Sequence, residues 1–102
     1  MPLFLIERNF AEKLEASAEG VGRTIDVNKD VGVHWLFSFL SADKRKTYCL
    51  YEAPSAEALR EAARQLGLPA DVITEVSELN PAEYLSPEEF ERRSGRGPTR
   101  IL

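Results

Sequence analysis

Residues 33–54 read VHWLFSFLSADKRKTYCLYEAP and hold the chain's only histidine, tryptophan and cysteine, at His34, Trp35 and Cys49. Two apolar runs flank the short polar segment ADKR at 42–45, the pattern of two strands joined by a hairpin turn. The expected strands cover 33–41 and 46–52. If 42–45 forms the turn, Ser41 faces Lys46 and Ser38 faces Cys49. Side chains alternate across a sheet, so a regular strand puts Val33, Trp35, Phe37 and Phe39 on one side. His34, Leu36, Ser38 and Leu40 then take the other.

Working outward, residues 2–8 form a short apolar run without helical caps and read as a first strand. Leu3 and Leu5 lie on one side of it and Phe4 and Ile6 on the other. From Ala11, apolar residues recur at helical spacing through Leu14, Ala18, Val21 and Ile25, which predicts a helix with one buried face. Ser17 is the natural N-cap and Gly32 the natural stop, placing the helix at 18–30 with a loop before it. Beyond the hairpin, Pro54-Ser55 ends the strand and caps a second helix over 56–66. Its stripe is Ala58, Leu59, Ala62, Ala63 and Leu66, and Gly67 closes it. Val72, Ile73 and Val76 mark a last strand ending near Ser77.

The order strand, helix, strand, strand, helix, strand predicts an α+β, ferredoxin-like βαββαβ sandwich, an antiparallel sheet with two helices on one face. Both sides of the second strand are substantially apolar, and two helices cover only one of them. A large exposed apolar patch marks an interface, so the expectation is a homodimer formed through the open sheet face. Residues 1–79 are read as the domain and 80–102 as a C-terminal extension. Within the extension, Ser86-Pro87-Glu88-Glu89 is a capping box that predicts a short helix over 87–93. The SGRGPTRIL that follows has little to bury and reads as a mobile end.

Composition narrows the function classes. The net charge of −4 opposes a nucleic-acid backbone. A single cysteine forms no internal disulfide, as in a reducing compartment. The opening MPLFLIERNF lacks a positive leader, and no run approaches the roughly 20 apolar residues that span a bilayer. The expectation is a cytoplasmic protein with neither nucleic-acid nor membrane partners.

No local motif for a phosphate loop, a nucleophile elbow or a preformed metal cage occurs, which leans the reading away from an enzyme. His34 is the one imidazole, able to ligate a metal or exchange a proton near neutral pH. Asp26 and Asp30 share a helix face at i, i+4, as do Glu15 with Glu19 and Glu57 with Glu61. Asp26, Asp30 and Asp43 are the oxygen donors considered beside His34 for a metal. On a regular hairpin His34 and Cys49 share a face about 13 Å apart, at ~3.3 Å per residue, too far for one ion. Tyr51 would face Leu36 and lie diagonal to His34. A pocket built from His34, Tyr51, Glu52 and Cys49 is the alternative, making the chain a small-molecule binder or cofactor-independent enzyme with His34, Tyr51 and Glu52 as acid–base groups.

Several blocks together resemble one family. They are the MPLFLIER start, the G-V-x-W entry to the second strand and the S-x-x-S-x-D leading into the turn. K-T-Y-C-L-Y-E-A-P before the second helix and G-L-P-A-D before the last strand complete the set. These features resemble the small bacterial ferredoxin-like proteins, once a domain of unknown function, that are described as nickel-binding. The resemblance covers nearly all of 2–77. It implies a dimeric ferredoxin-like fold and nickel ions held at the dimer surface, with a role in sequestering or buffering the metal. A dimer supplies two histidines, with carboxylates from either subunit.

Overall fold

The computed structural model describes residues 1–98. Strands β1 (Leu3–Asn9), β2 (His34–Leu40), β3 (Lys46–Glu52) and β4 (Val72–Val76) form one antiparallel sheet in the order β2-β3-β1-β4. Helices α1 (Ala18–Asp30) and α2 (Ala56–Leu66) connect the two halves, and α3 (Pro87–Ser94) follows a short 3-10 turn at Pro81–Glu83. This is the expected ferredoxin-like sandwich.

Local chemistry sets the helix ends. Ser17 and Ser55 accept the amides of Gly20 and Ala58, three residues on, as N-caps do. Gly67 closes α2 at φ 67°, a left-handed position where any other residue carries a Cβ penalty. The hairpin turn is tied by Asp43, whose Oδ1 accepts from the Ser41 hydroxyl at 2.6 Å and from the Arg45 amide at 3.1 Å. Those bonds let Lys44 take a positive φ of 62°. Ser41 donates its amide to the Lys46 carbonyl and Ser38 registers with Cys49, as the turn length predicts.

One expectation fails in β2. Trp35 pairs with Tyr51 but Phe37 pairs with Leu50, leaving Leu36 as an extra, bulged residue. A bulge shifts the side-chain alternation by one position. Val33 and Trp35 therefore share the helix-side face with Ser38 and Leu40, while Phe37 and Phe39 join His34 on the opposite face. The Trp35 indole confirms this by donating to Ser38 Oγ at 2.8 Å. Residues three apart in a regular strand point to opposite faces and could not meet so directly.

The core lies between the sheet and the two helices. Phe4, Ile6, Cys49 and Tyr51 pack there with Leu59 and Ala62 of α2, and Val27 of α1 joins them half-buried. Ile6 is completely buried, and a buried Ile of this kind stabilises the fold by about 2 kcal/mol over its exposed form. Helix α1 contributes less than its spacing predicts. Ile25 is 52% exposed, Ala11 and Leu14 precede the helix, and the only α1 residue fully buried is Asn28.

The opposite face carries Leu3 and Leu5, Phe37 and Phe39, Tyr48 and Leu50, and neither α1 nor α2 covers it. Phe37 and Phe39 meet edge to face with centroids 5.5 Å apart. Phe39 is 55% exposed. After β4 no described residue is buried, α3 included, and Leu79 and Tyr84 are among the most exposed apolar side chains. A radius of gyration of 16.2 Å, against about 13 Å for a compact chain of ~100 residues, fits a segment that projects. The expected mobile end runs into residues 99–102, which lie outside the described residues. No helix among the described residues is long and apolar enough to cross a membrane.

Candidate functional site

The sheet presents two candidate places, one on each face. On the open face, His34 begins β2 and registers directly with Glu52 at the end of β3. Directly opposed residues hold their Cβ atoms about 5 Å apart, so an imidazole and a carboxylate stand side by side on an exposed corner. Farther along, Lys46 pairs with Glu7 at 3.2 Å, and that bond is the main reason its ammonium holds its proton more tightly than usual. Between these polar ends the face is apolar.

The helix-side face bears a cavity of about 360 Å³, half open to solvent. The standing-off of α1 creates it: the helix turns only half-buried residues and Asn28 inward, so its first turns do not fill the space above the sheet. Leu14, Ala16 and Val21 form one wall, Leu66 and Leu68 another, and the sheet supplies Arg8, Trp35, Ser38, Thr47, Cys49 and Tyr51 as the floor. The bulge matters here, because it turns Trp35 into this cavity.

Arg8 is the unusual member. It is 4% exposed, and it donates to the Pro69 carbonyl and, at 3.2 Å, to the Tyr51 hydroxyl. Its guanidinium also lies 5.9 Å from the Tyr51 ring centroid. No carboxylate among the described residues pairs with it. Burial pushes the Tyr51 phenol above its ordinary pKa, with the Arg8 charge pulling the other way. Beside the same phenol, Asn28 is buried, its Nδ2 close enough to favour the ionised phenol but making no well-formed hydrogen bond with any described residue. Cys49 donates to Thr47 Oγ1 at 3.4 Å, as an ordinary buried thiol does.

The residues singled out from sequence fall on both sides of this division. His34 and Glu52 lie on the open face, Tyr51 and Cys49 on the helix side, so the sheet itself keeps the four from forming one pocket. Tyr51 faces Trp35 instead of Leu36, a consequence of the bulge. Asp26 and Asp30 are exposed on α1, in the other layer from His34. Asp43 sits in the hairpin turn at the far end of β2 from His34, roughly 20 Å away at ~3.3 Å per residue. The Ser41 hydroxyl, then the Arg45 amide, hold its carboxyl below its ordinary pKa. Among the described residues no three His, Cys, Asp or Glu side chains cluster closely enough to hold a metal ion. Arg8 belongs to no sequence motif, although alternation from Phe4 and Ile6 puts it on the buried face.

A four-stranded antiparallel sheet with its helices on one face and an apolar second face defines a ferredoxin-like α+β protein. Residues 4–76 match the family described as nickel responsive protein, SCO4226-like, and the chain belongs to that family. The crystal structure of SCO4226 from Streptomyces coelicolor A3(2) superimposes with a TM-score of 0.66 at 26% identity, over 76% of this chain and 98% of that one. No curated protein matches the chain.

Proposed function

We propose that this chain acts as a homodimer that takes up nickel ions for sequestration or buffering, at positions completed when two copies meet. Membership of a nickel-responsive family supports the choice of metal. The observation that carries the reading is the placement of the only imidazole. His34 stands opposite the Glu52 carboxylate, on the face that neither core helix covers. Nickel(II) takes nitrogen and oxygen donors readily. One chain offers it a pair of them, short of a full set, in keeping with the absence of any three-donor cluster among its described residues. A second copy brings a second His34 and Glu52, and its apolar face gives the two chains a reason to associate. Asp26, Asp30 and Asp43 would bind only as separate, solvated surface donors.

The test is calorimetric titration of untagged, chelator-stripped protein with Ni(II), with Zn(II) and Mg(II) as controls, beside a light-scattering mass. The expected result is a dimer that binds Ni(II) saturably with integer stoichiometry, and His34→Ala lowering affinity at least tenfold. Absence of heat and of thermal stabilisation by Ni(II) would remove the metal reading. Full-strength binding by His34→Ala would move the site to the carboxylates.

A further inference from the structure

The cavity beneath α1 is built within one chain and uses none of the donors discussed for nickel. Its walls are mostly aliphatic and aromatic, and its volume of about 360 Å³ lies in the range of small-molecule sites. Its polar groups are unbalanced in one direction. Arg8 carries five N–H donors and a permanent charge, and the structure satisfies it with two neutral acceptors, the Pro69 carbonyl and the Tyr51 hydroxyl. Asn28 adds a buried Nδ2 beside that hydroxyl, without a well-formed hydrogen bond among the described residues. The acidic side chain in the lining, Glu15, is exposed at the margin, as is Arg23.

A buried cation without a counter-charge is costly unless something anionic completes it. Folding alone does not require the charge at this position, since Phe4 and Ile6 occupy the equivalent places along the same strand face. We propose that the cavity is a binding site for a small, largely apolar monocarboxylate, with Arg8 receiving the carboxylate and the aliphatic walls its hydrocarbon or aryl body. A guanidinium fork donates to both carboxylate oxygens at once. A phosphate ester, with its second charge, would meet no second buried cation among the described residues of the lining. Specificity follows from the pairing: the ionised carboxylate of a ligand neutralises Arg8, and the corresponding amide or alcohol leaves the charge buried and unpaired.

Trp35 lines the cavity and is the chain's only tryptophan, so its fluorescence reports on occupancy. The experiment titrates the full chain in excess chelator with octanoate and phenylacetate, against octanamide and phenylacetamide. Working in chelator makes the outcome independent of nickel. Saturable changes with the acids, at least tenfold tighter than with the amides, are expected. Arg8→Gln should erase that preference and Arg8→Lys should restore part of it. Thr24→Phe, which fills the cavity from α1 without touching the charge, should weaken all of the ligands together. Equal binding of acid and amide, or no saturable response to either acid by fluorescence or thermal shift, overturns the proposal. So does an acid preference that survives in Arg8→Gln. If that variant does not fold, the acid–amide comparison on the unaltered chain and the Thr24→Phe result decide the matter.

Discussion

The two faces of the sheet come from alternate residues of the same four strands, yet they solve burial differently. The helix-side face is nearly complete within one chain: Phe4 and Ile6 are covered by α2, and only the space under α1 is left as a cavity. On the other face Phe37 and Phe39 meet edge to face, Phe37 half-buried and Phe39 exposed. The polar groups differ in the same way. Arg8 is buried without an opposite charge, whereas His34 and Glu52 are solvated and lack only further donors. On the readings proposed above, a carboxylate site and a metal site completed by a second chain would occupy opposite faces of one sheet, toward opposite ends of β3.

The sharpest way to break this contrast is to cut the covered face. Ile6→Ala should cost about 3 kcal/mol in denaturant unfolding, because the side chain is fully buried and the surrounding strands cannot collapse onto the gap. That loss should be the same at every protein concentration. Phe39→Glu tests the other face. It should leave the far-ultraviolet spectrum unchanged but weaken self-association by at least about 30-fold, the equivalent of ~2 kcal/mol at an interface centre. Sedimentation across a dilution series measures it, and an unchanged dissociation constant would exclude this face as the dimer contact. The smallest effect is the most diagnostic of how the faces are assigned. Deleting Leu36 removes the bulged residue while preserving every other pairing in β2, so the cost should be only about 1 kcal/mol. Trp35 should remain shielded from acrylamide quenching. A regular β2 would instead be thrown out of register by the deletion, exposing the indole.

The elements read correctly from sequence are those governed by neighbours in the chain. Ser17 and Ser55 each cap a helix through an amide three residues away, and Gly67 takes the left-handed turn that ends α2, so the bounds of α1 and α2 were legible. The hairpin register was legible for the same reason, since Ser41, Asp43 and Arg45 tie the turn among themselves. The face of α1 was not. Its apolar spacing through Ala18, Val21 and Ile25 points one way, but packing on α2 and β2 turns Val27 and Asn28 inward and leaves Ile25 in solvent.

The succession of elements along the chain, the capped helices and an apolar surplus on β2 were thus determined by the sequence alone, because periodicity and caps act over a few residues. The bulge at Leu36 was decided only by tertiary structure: β2 is apolar on both faces, so no contrast of polar and apolar residues revealed where the alternation shifts. That single extra residue parts Trp35 from Phe37 and Phe39 and sets it beside Ser38 and Leu40 on the helix side of the sheet. Arg8 followed a similar course. Its place on the buried face was implicit in the alternation of β1, but its lack of a counter-ion emerged only once α1, β3 and the Pro69 loop were assembled around it. Charge compensation is a property of three-dimensional neighbours, and no local pattern encodes it.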